Sequence, residues 1–322
     1  MMGRGDPRKR GRVQPRDRIL AAIDVGTNTL RMLVGSVEGT AILPVCRLRR
    51  ITGMGKALRE SGRIGEPEFL ASLEVLREFR GEMDRLGVVE YRACGTAAIR
   101  ESGNREEFLD CARRLGVRIE VLSPREEARY TWRGIAGGSG DRGGSLVLDI
   151  GGGSTEFIAG PGSPDFISLP VGVVVLSSLF PLSDPPTGWE LENLVHFLRD
   201  RVGAGTSPWK RRRFDRLVGT AGTFTTLAAL ERKMTRYRPE RIDGTRMTVR
   251  TLRRWAERLC GMTDAGRLAL PGMEKGRERY IVPGVLLAEA AMERFRTEEL
   301  VIRDAGLLEG ILRELGRTKG RG

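Results

Sequence analysis

Histidine is nearly absent: one residue, His196, in 322. That excludes metal phosphohydrolases and zinc enzymes built on clustered imidazoles, because each needs several ring nitrogens. A Ser-His-Asp triad would rest on His196 alone. This residue lies in ELENLVHFLRDRV, where Leu191, Leu194, Val195, Leu198 and Val202 form the apolar stripe, so the imidazole is expected on the wet face of a helix. Cysteine is scarce too. Cys46, Cys94, Cys111 and Cys260 include no C-x-x-C pair, which implies neither a zinc site nor a disulfide framework and points to a reducing cytoplasm. The longest apolar stretches, GVVVL (172–176) and VPGVLLAEAAM (282–292), fall well short of the ~20 residues that span a bilayer, so no membrane segment is expected. Aromatics make up 6% of the chain and do not interleave with its basic runs, which argues against specific nucleic-acid binding.

Positive charge is abundant. Lys+Arg 55 against Asp+Glu 42 leaves a formal +13. With 40% hydrophobic residues the chain can bury a full core, and its length suits two ordinary domains. Residues 1–18 carry seven basic and two acidic side chains and no apolar stretch, and are expected to form a disordered basic tail rather than a signal peptide. WKRRRFDR (209–216) and the segment from Arg232 to Arg258 are strongly cationic. Such runs either attract a polyanion, with binding that weakens in salt, or are solvated helix faces.

The hydrophobic pattern alternates. RILAAIDVG reads as a strand ending in a glycine turn, and MLVGSVEG continues it as a hairpin. In PEFLASLEVLREFRGEMDRLG, Phe69, Leu70, Leu73, Leu76, Phe79, Met83 and Leu86 recur at helical spacing before Gly87. Strand VVEYRACG, a helix near 105–115, strand VRIEVL (117–122) and a helix opened by Ser123 and Pro124 complete a β/α half. That half repeats. AIDVGTNTLRMLVG (22–35) aligns with VLDIGGGSTEFIAG (147–160) at an offset of 149 − 24 = 125, and CGTAAIR (94–100) aligns with VGTAGTF (218–224) at 219 − 95 = 124. One shared register across both motif pairs predicts two similar lobes around a cleft.

In each lobe a strand runs into Asp-x-Gly followed by small hydroxylated residues. Gly26, Thr27, Asn28 and Thr29 in the first copy, and Gly151, Gly152, Gly153, Ser154 and Thr155 in the second, would offer backbone and hydroxyl donors to phosphate oxygens, as would Gly219 and Thr220. A single such loop reads as an ordinary hairpin turn; two in register favour a phosphate chain held between them. Neither G-x-x-x-x-G-K-[ST] nor G-x-G-x-x-G occurs. The helix after Ser123 opens with a capping box in which Glu126 has the structural task. Glu127 is left either as a first-turn acid favoured by the helix dipole or as a catalytic carboxylate.

Taken in order, AIDVGTNTLRMLVG, CGTAAIRES, LSPREEARYTW, LVLDIGGGSTEF and VGTAGTFTTLA resemble the exopolyphosphatase/guanosine pentaphosphate phosphatase family, of the actin, Hsp70 and sugar kinase superfamily. The resemblance spans roughly residues 19–315. It implies an α/β fold of two duplicated ribonuclease-H-like (actin-like) lobes flanking a phosphate-binding cleft. The first lobe is expected over 19–128 and the second over 129–322, with the final helix free to pack back on the first. It further implies hydrolysis of terminal phosphoanhydride bonds in inorganic polyphosphate or guanosine pentaphosphate, with Mg²⁺ or another divalent cation. Glu127 falls on the family's general base and Arg100 on an arginine facing the phosphate. Asp149, Glu156 and Asp24 fall where acidic groups would stand near a metal. Two positions depart from the family pattern: Val175 and Leu308 stand where arginine is common, in stretches associated with the cleft. The chain looks like the short two-lobe form, and a homodimer is left open. An exopolyphosphatase is the leading expectation. A guanosine pentaphosphate 5'-phosphohydrolase, a kinase of the same superfamily and a noncatalytic polyphosphate- or nucleotide-binding regulator are the alternatives.

Overall fold

The computed structural model describes residues 18–139, 144–160 and 165–317. Of the expected basic tail only Arg18 is included; the rest lies outside the described residues. The strands are β1 (Leu20–Val25), β2 (Thr29–Glu38), β3 (Ala41–Ile51), β4 (Glu90–Gly95), β5 (Ile119–Val121), β6 (Ser145–Ile150), β7 (Thr155–Ala159), β8 (Asp165–Leu169), β9 (Arg216–Thr220), β10 (Thr245–Thr248) and β11 (Glu299–Ile302). The helices of the first half are α1 (Leu58–Ser61), α2 (Glu66–Arg85), α3 (Ala97–Glu101), α4 (Arg105–Arg114) and α5 (Pro124–Ser139). Those of the second are α6 (Val173–Leu179), α7 (Gly188–Gly205), α8 (Ala221–Glu231), α9 (Pro239–Ile242), α10 (Val249–Cys260), α11 (Asp264–Leu268), α12 (Ile281–Phe295) and α13 (Leu307–Arg317).

Two sheets result, ordered β3-β2-β1-β4-β5 and β10-β11-β9-β6-β7-β8. The β1–β2–β3 meander matches β6–β7–β8, antiparallel in both cases. The parallel run β1-β4-β5 matches β6-β9-β11. The duplicated register of the sequence is therefore a duplicated topology, with β10 added at one edge. β1 is a continuous run of buried residues because both faces are covered, as in parallel sheets packed on two sides. α2 supplies Phe69, Leu76, Phe79 and Met83 to one of those faces.

β3 is not legible from alternation. Its burial pattern is mostly half-exposed or exposed, as suits an edge strand, and Pro44 stands beside a register shift opposite Val34/Gly35. His196 is exposed on α7, as expected, and the four cysteines are free. Among the described residues no helix is long and apolar enough to cross a membrane.

Two helices tie the lobes together. α13 lays Leu307, Leu308, Ile311, Leu312 and Leu315 against Leu20, Ala22, Leu33 and Cys94 of the first sheet. α5 packs Ala128, Trp132 and Ile135 on Val147, Ile158, Val218 and Val301 of the second. The two helices touch through glycine: a Cβ on Gly310 would stand 1.9 Å from the Tyr130 carbonyl oxygen. Glu314 on α13 accepts from Tyr130 Oη at 2.8 Å and Arg92 Nη1 at 3.0 Å, and pairs with Arg133. Because backbone stands in the way, Gly310→Ala is expected to destabilise the protein by about 1–3 kcal/mol. Thermal unfolding checks this, and an unchanged Tm would show that the helices can separate at no cost.

Candidate active site

The first hairpin turn follows β1 and the second follows β6, so both emerge from equivalent strand ends and meet. A Cβ built on Gly152 would lie 2.9 Å from Thr27 Cβ and 3.2 Å from the Asn28 nitrogen. One on Gly153 would lie 2.8 Å from Ala97 Cβ and 2.9 Å from Thr27 Oγ1. Only glycine allows turns this close. Between them is a cavity of about 90 Å³ whose wall includes Gly26, Thr27, Asn28, Thr29, Gly151, Gly152, Gly153 and Ser154.

Helix N-termini complete the wall. Thr96 and Ala97 open α3, and Ala221, Gly222 and Thr223 open α8. Neither helix has a side-chain cap at its start, so first-turn N–H groups remain available to an anion. Ala221 adopts φ 66°, a left-handed conformation unusual for a residue with a side chain, and it turns the chain from β9 into α8 at the cavity edge.

Four carboxylates share this region. Asp24, Asp149 and Glu127 line the cavity, whereas Glu156 stands behind Asp149 as its cross-strand neighbour. Burial, then the charges of Glu156, Asp149 and Asp24, push Glu127 well above the usual carboxylate range, against the pull of Arg100. Asp149 is raised by burial, and Glu156 is raised to about 7 by burial and by Asp149. Thr131 Oγ1 donates to Asp149 at 3.1 Å and Ser168 Oγ to Glu156 at 2.8 Å. Asp24 differs, because its register partner is Arg31, whose Nε and Nη2 donate to Oδ2 at 2.9 and 2.5 Å.

Several assignments made from the sequence change. Arg100 does not reach the cavity wall: it donates to the Leu122 carbonyl at 2.8 Å and pairs with Glu127 at 3.4 Å, so it orients and partly neutralises that carboxylate. The Thr155 hydroxyl is used on the Val171 carbonyl at 2.6 Å, which removes it from the phosphate donors. Thr220 donates to the Ala305 carbonyl at 2.8 Å and Gly219 packs on Phe224, so the donors in this copy lie further along, at 221–223. Leu308 is in the apolar layer under α13 while Leu307 lines the cavity, and Val175 does not line it.

Two arginines were missed. Arg31 could have been found, since a hairpin turning at 26–29 sets it opposite Asp24, and opposite charges pair favourably across strands. Arg277 carries no such signal among 55 basic residues. It reaches the cavity from the segment before α12, with its guanidinium against Gly222, Nε buried without a hydrogen-bond partner, and a pKa pushed down to about 10 by burial and by Arg31.

The donor set suits a hard cation. Asp24 Oδ1 is buried without a hydrogen-bond partner, and Asp149 and Glu156 face each other across β6 and β7, with Arg31 and Arg100 offsetting them only in part. Among the described residues no three histidine, cysteine or acidic side chains are grouped to hold a metal by themselves. A cation here would therefore be shared between one or two carboxylates, water and phosphate oxygens, the usual manner of Mg²⁺.

Residues 33–318 match the model of the Ppx/GppA phosphatase family. The chain is 32% identical over 310 residues to exopolyphosphatase 2 of Mycobacterium tuberculosis, covering 91% of this chain and 97% of that one. It is 31% identical to exopolyphosphatase 1 of Mycobacterium leprae, covering 92% and 89%. The fold resembles the crystal structure of the Aquifex aeolicus Ppx/GppA family member, with TM-score 0.81, 30% identity and coverage of 94% and 99%. It also resembles an exopolyphosphatase from Cytophaga hutchinsonii, with TM-score 0.86, 26% identity and coverage of 92% and 97%.

The acid cluster predicts a pH effect on stability. With Glu156 near 7 in the fold and a carboxylate of this type near ~4.3 when unfolded, the native state binds the proton more tightly. The destabilisation is then complete above about 7 and shrinks as pH falls toward the unfolded value. Asp304, raised to about 6, and Glu127 and Asp149, both raised by burial, add to the trend in the same direction. Without metal or phosphate, Tm is expected to rise as pH drops from about 8 to about 6, and Glu156→Gln to flatten the slope. A native Tm that falls over this window would contradict an uncompensated cluster.

Proposed function

We propose, from the premise that this chain belongs to the Ppx/GppA phosphatase family, that it is an exopolyphosphatase that releases orthophosphate from the end of inorganic polyphosphate. The observation that carries this reading is the placement of one buried carboxylate, Glu127, on the same small cavity as both glycine turns. The terminal phosphoryl group lies between the turns, whose N–H groups and hydroxyls line the cavity as donors for its oxygens. Glu127 orients a water and takes its proton as the oxygen attacks phosphorus. The bond to the bridging oxygen breaks, and the shortened chain leaves as the anion. Burial gives Glu127 the proton affinity a base needs near neutral pH, while Arg100 at 3.4 Å offsets part of that shift and aims the carboxylate.

Arg31 and Arg277 stand on the cleft and offset the negative charge of the leaving chain. Mg²⁺, held by Asp149 and Asp24 together with phosphate oxygens, would supply further charge to the same oxygens when bound. The excess of basic side chains favours a polymeric anion over a nucleotide, and four unpaired cysteines suit a reducing cytoplasm.

The test follows phosphate release from long-chain polyphosphate and from guanosine pentaphosphate with Mg²⁺. Glu127→Gln is expected to lower kcat by about a hundredfold to ten-thousandfold with substrate binding retained. Equal turnover in the variant would remove Glu127 from its role. Release from guanosine pentaphosphate alone would reassign the substrate, and no release by the native protein from either would favour a noncatalytic regulator.

A further inference from the structure

The cavity between the turns, about 90 Å³, accommodates the end of a polyphosphate and not its length. A second cavity of about 430 Å³ lies on the flank of α8, and its wall includes Glu274, which is 3.8 Å from Arg277. Arg49 of β3 lines it together with Thr225, Thr226 and Tyr237. Arg49 sits with its guanidinium 5.8 Å from the Tyr237 ring centre, and its pKa is pushed down to about 10 by burial and by Arg277 and Arg31. Three arginines from separate segments are thus held within one another's field. Glu274 pairs with Arg49 and lies 3.8 Å from Arg277, so one carboxylate faces two of these cations.

Leu270 and Pro271 also line a third cavity, of about 460 Å³, so it and the second share one wall. Its charged lining is Lys233, Arg254 and Arg258 against one acid, Glu231, which pairs with Arg254 at 3.1 Å and accepts from Trp255 Nε1 at 2.6 Å. Arg258 stacks on Trp255 at 5.2 Å. These cations belong to the basic segment 232–258. The other basic segment adjoins none of the three cavities, and its Arg212 pairs with Asp165 of β8, at the sheet edge opposite β10.

We propose that the polyphosphate chain leaves the cleft between Arg277 and Arg49 and passes over Leu270–Pro271 from the second cavity to the third, with Lys233, Arg254 and Arg258 as subsites for the distant phosphates. This rests on the exopolyphosphatase reading of the cleft and specifies how that site takes a polymer. Phosphate oxygens supply the negative charge that three cations and one acid lack, and the contacts are electrostatic, so they discriminate by chain length. A short chain ends before reaching α10.

The experiment measures binding of end-labelled long-chain polyphosphate and of tripolyphosphate to the full chain carrying Glu127→Gln. Arg254→Glu with Arg258→Glu is compared with Arg211→Glu with Arg213→Glu, which changes net charge equally on the other basic segment. The first pair is expected to weaken long-chain binding about tenfold and to make the slope of log K against log salt shallower by roughly one to two, with tripolyphosphate affinity held within about twofold. Arg254→Gln with Arg258→Gln should weaken the long chain in the same direction by less, which guards against a folding defect in the charge reversal. Unchanged long-chain affinity, equal loss for both ligands, or equal loss in the Arg211/Arg213 pair would each overturn the track. If the native protein releases no phosphate, the hydrolase reading fails while these binding constants still decide the track.

Discussion

The cross-strand partner of the hairpin aspartate differs between two otherwise matching lobes, and the chemistry of the cleft depends on that difference. Asp24 faces Arg31; Asp149, at the equivalent register, faces Glu156. In the first lobe the charge is neutralised where it stands. In the second, two acids sit opposite each other, a pairing that destabilises a sheet, and Glu156 is driven to about 7 as a result of burial and this neighbour. The uncompensated charge extends to Glu127, which Arg100 only partly offsets. A cleft of this kind gains most from a cation arriving together with an anionic substrate, and it holds a carboxylate with the proton affinity of a general base.

This arrangement exists only while the lobes stay in contact. α5 and α13 hold them there, with α13 on the first sheet, α5 on the second, and backbone close enough to backbone at Gly310 that no side chain fits between. The same closeness recurs at Gly152 and Gly153 against Thr27. Two tight contacts, one behind the cleft and one at its floor, explain why the phosphate turns oppose each other. They also explain why the enclosed space suits a terminal phosphoryl group and leaves the rest of a polymer outside.

The errors in the sequence reading share one cause. Thr155, Gly219 and Thr220 carry the right chemistry in the right motif, yet the hydroxyls are used on the Val171 and Ala305 carbonyls and the glycine lies under Phe224. A motif specifies which residues are near a ligand, and only the local hydrogen bonds specify which donors are left for it. Arg100, in the motif where an arginine would face the phosphate, pairs instead with Glu127. Leu308, where the resemblance puts an arginine, is part of the apolar layer beneath α13, next to Leu307 on the cavity wall.

Local pattern along the chain encodes the alternating β/α order, the capping box at Ser123–Glu126, the exposed His196, and the duplication, visible as one offset shared by two motif pairs. Even the Asp24–Arg31 pair was within reach, because hairpin register follows from turn length. Tertiary structure alone decided that Arg277 on the cleft and Arg49 on the neighbouring cavity, from segments more than two hundred residues apart, come within each other's field. It alone decided that the acid cluster is buried, which raises Glu127. Charge and burial depend on distances through space, and a chain records those distances only where they coincide with spacing along it.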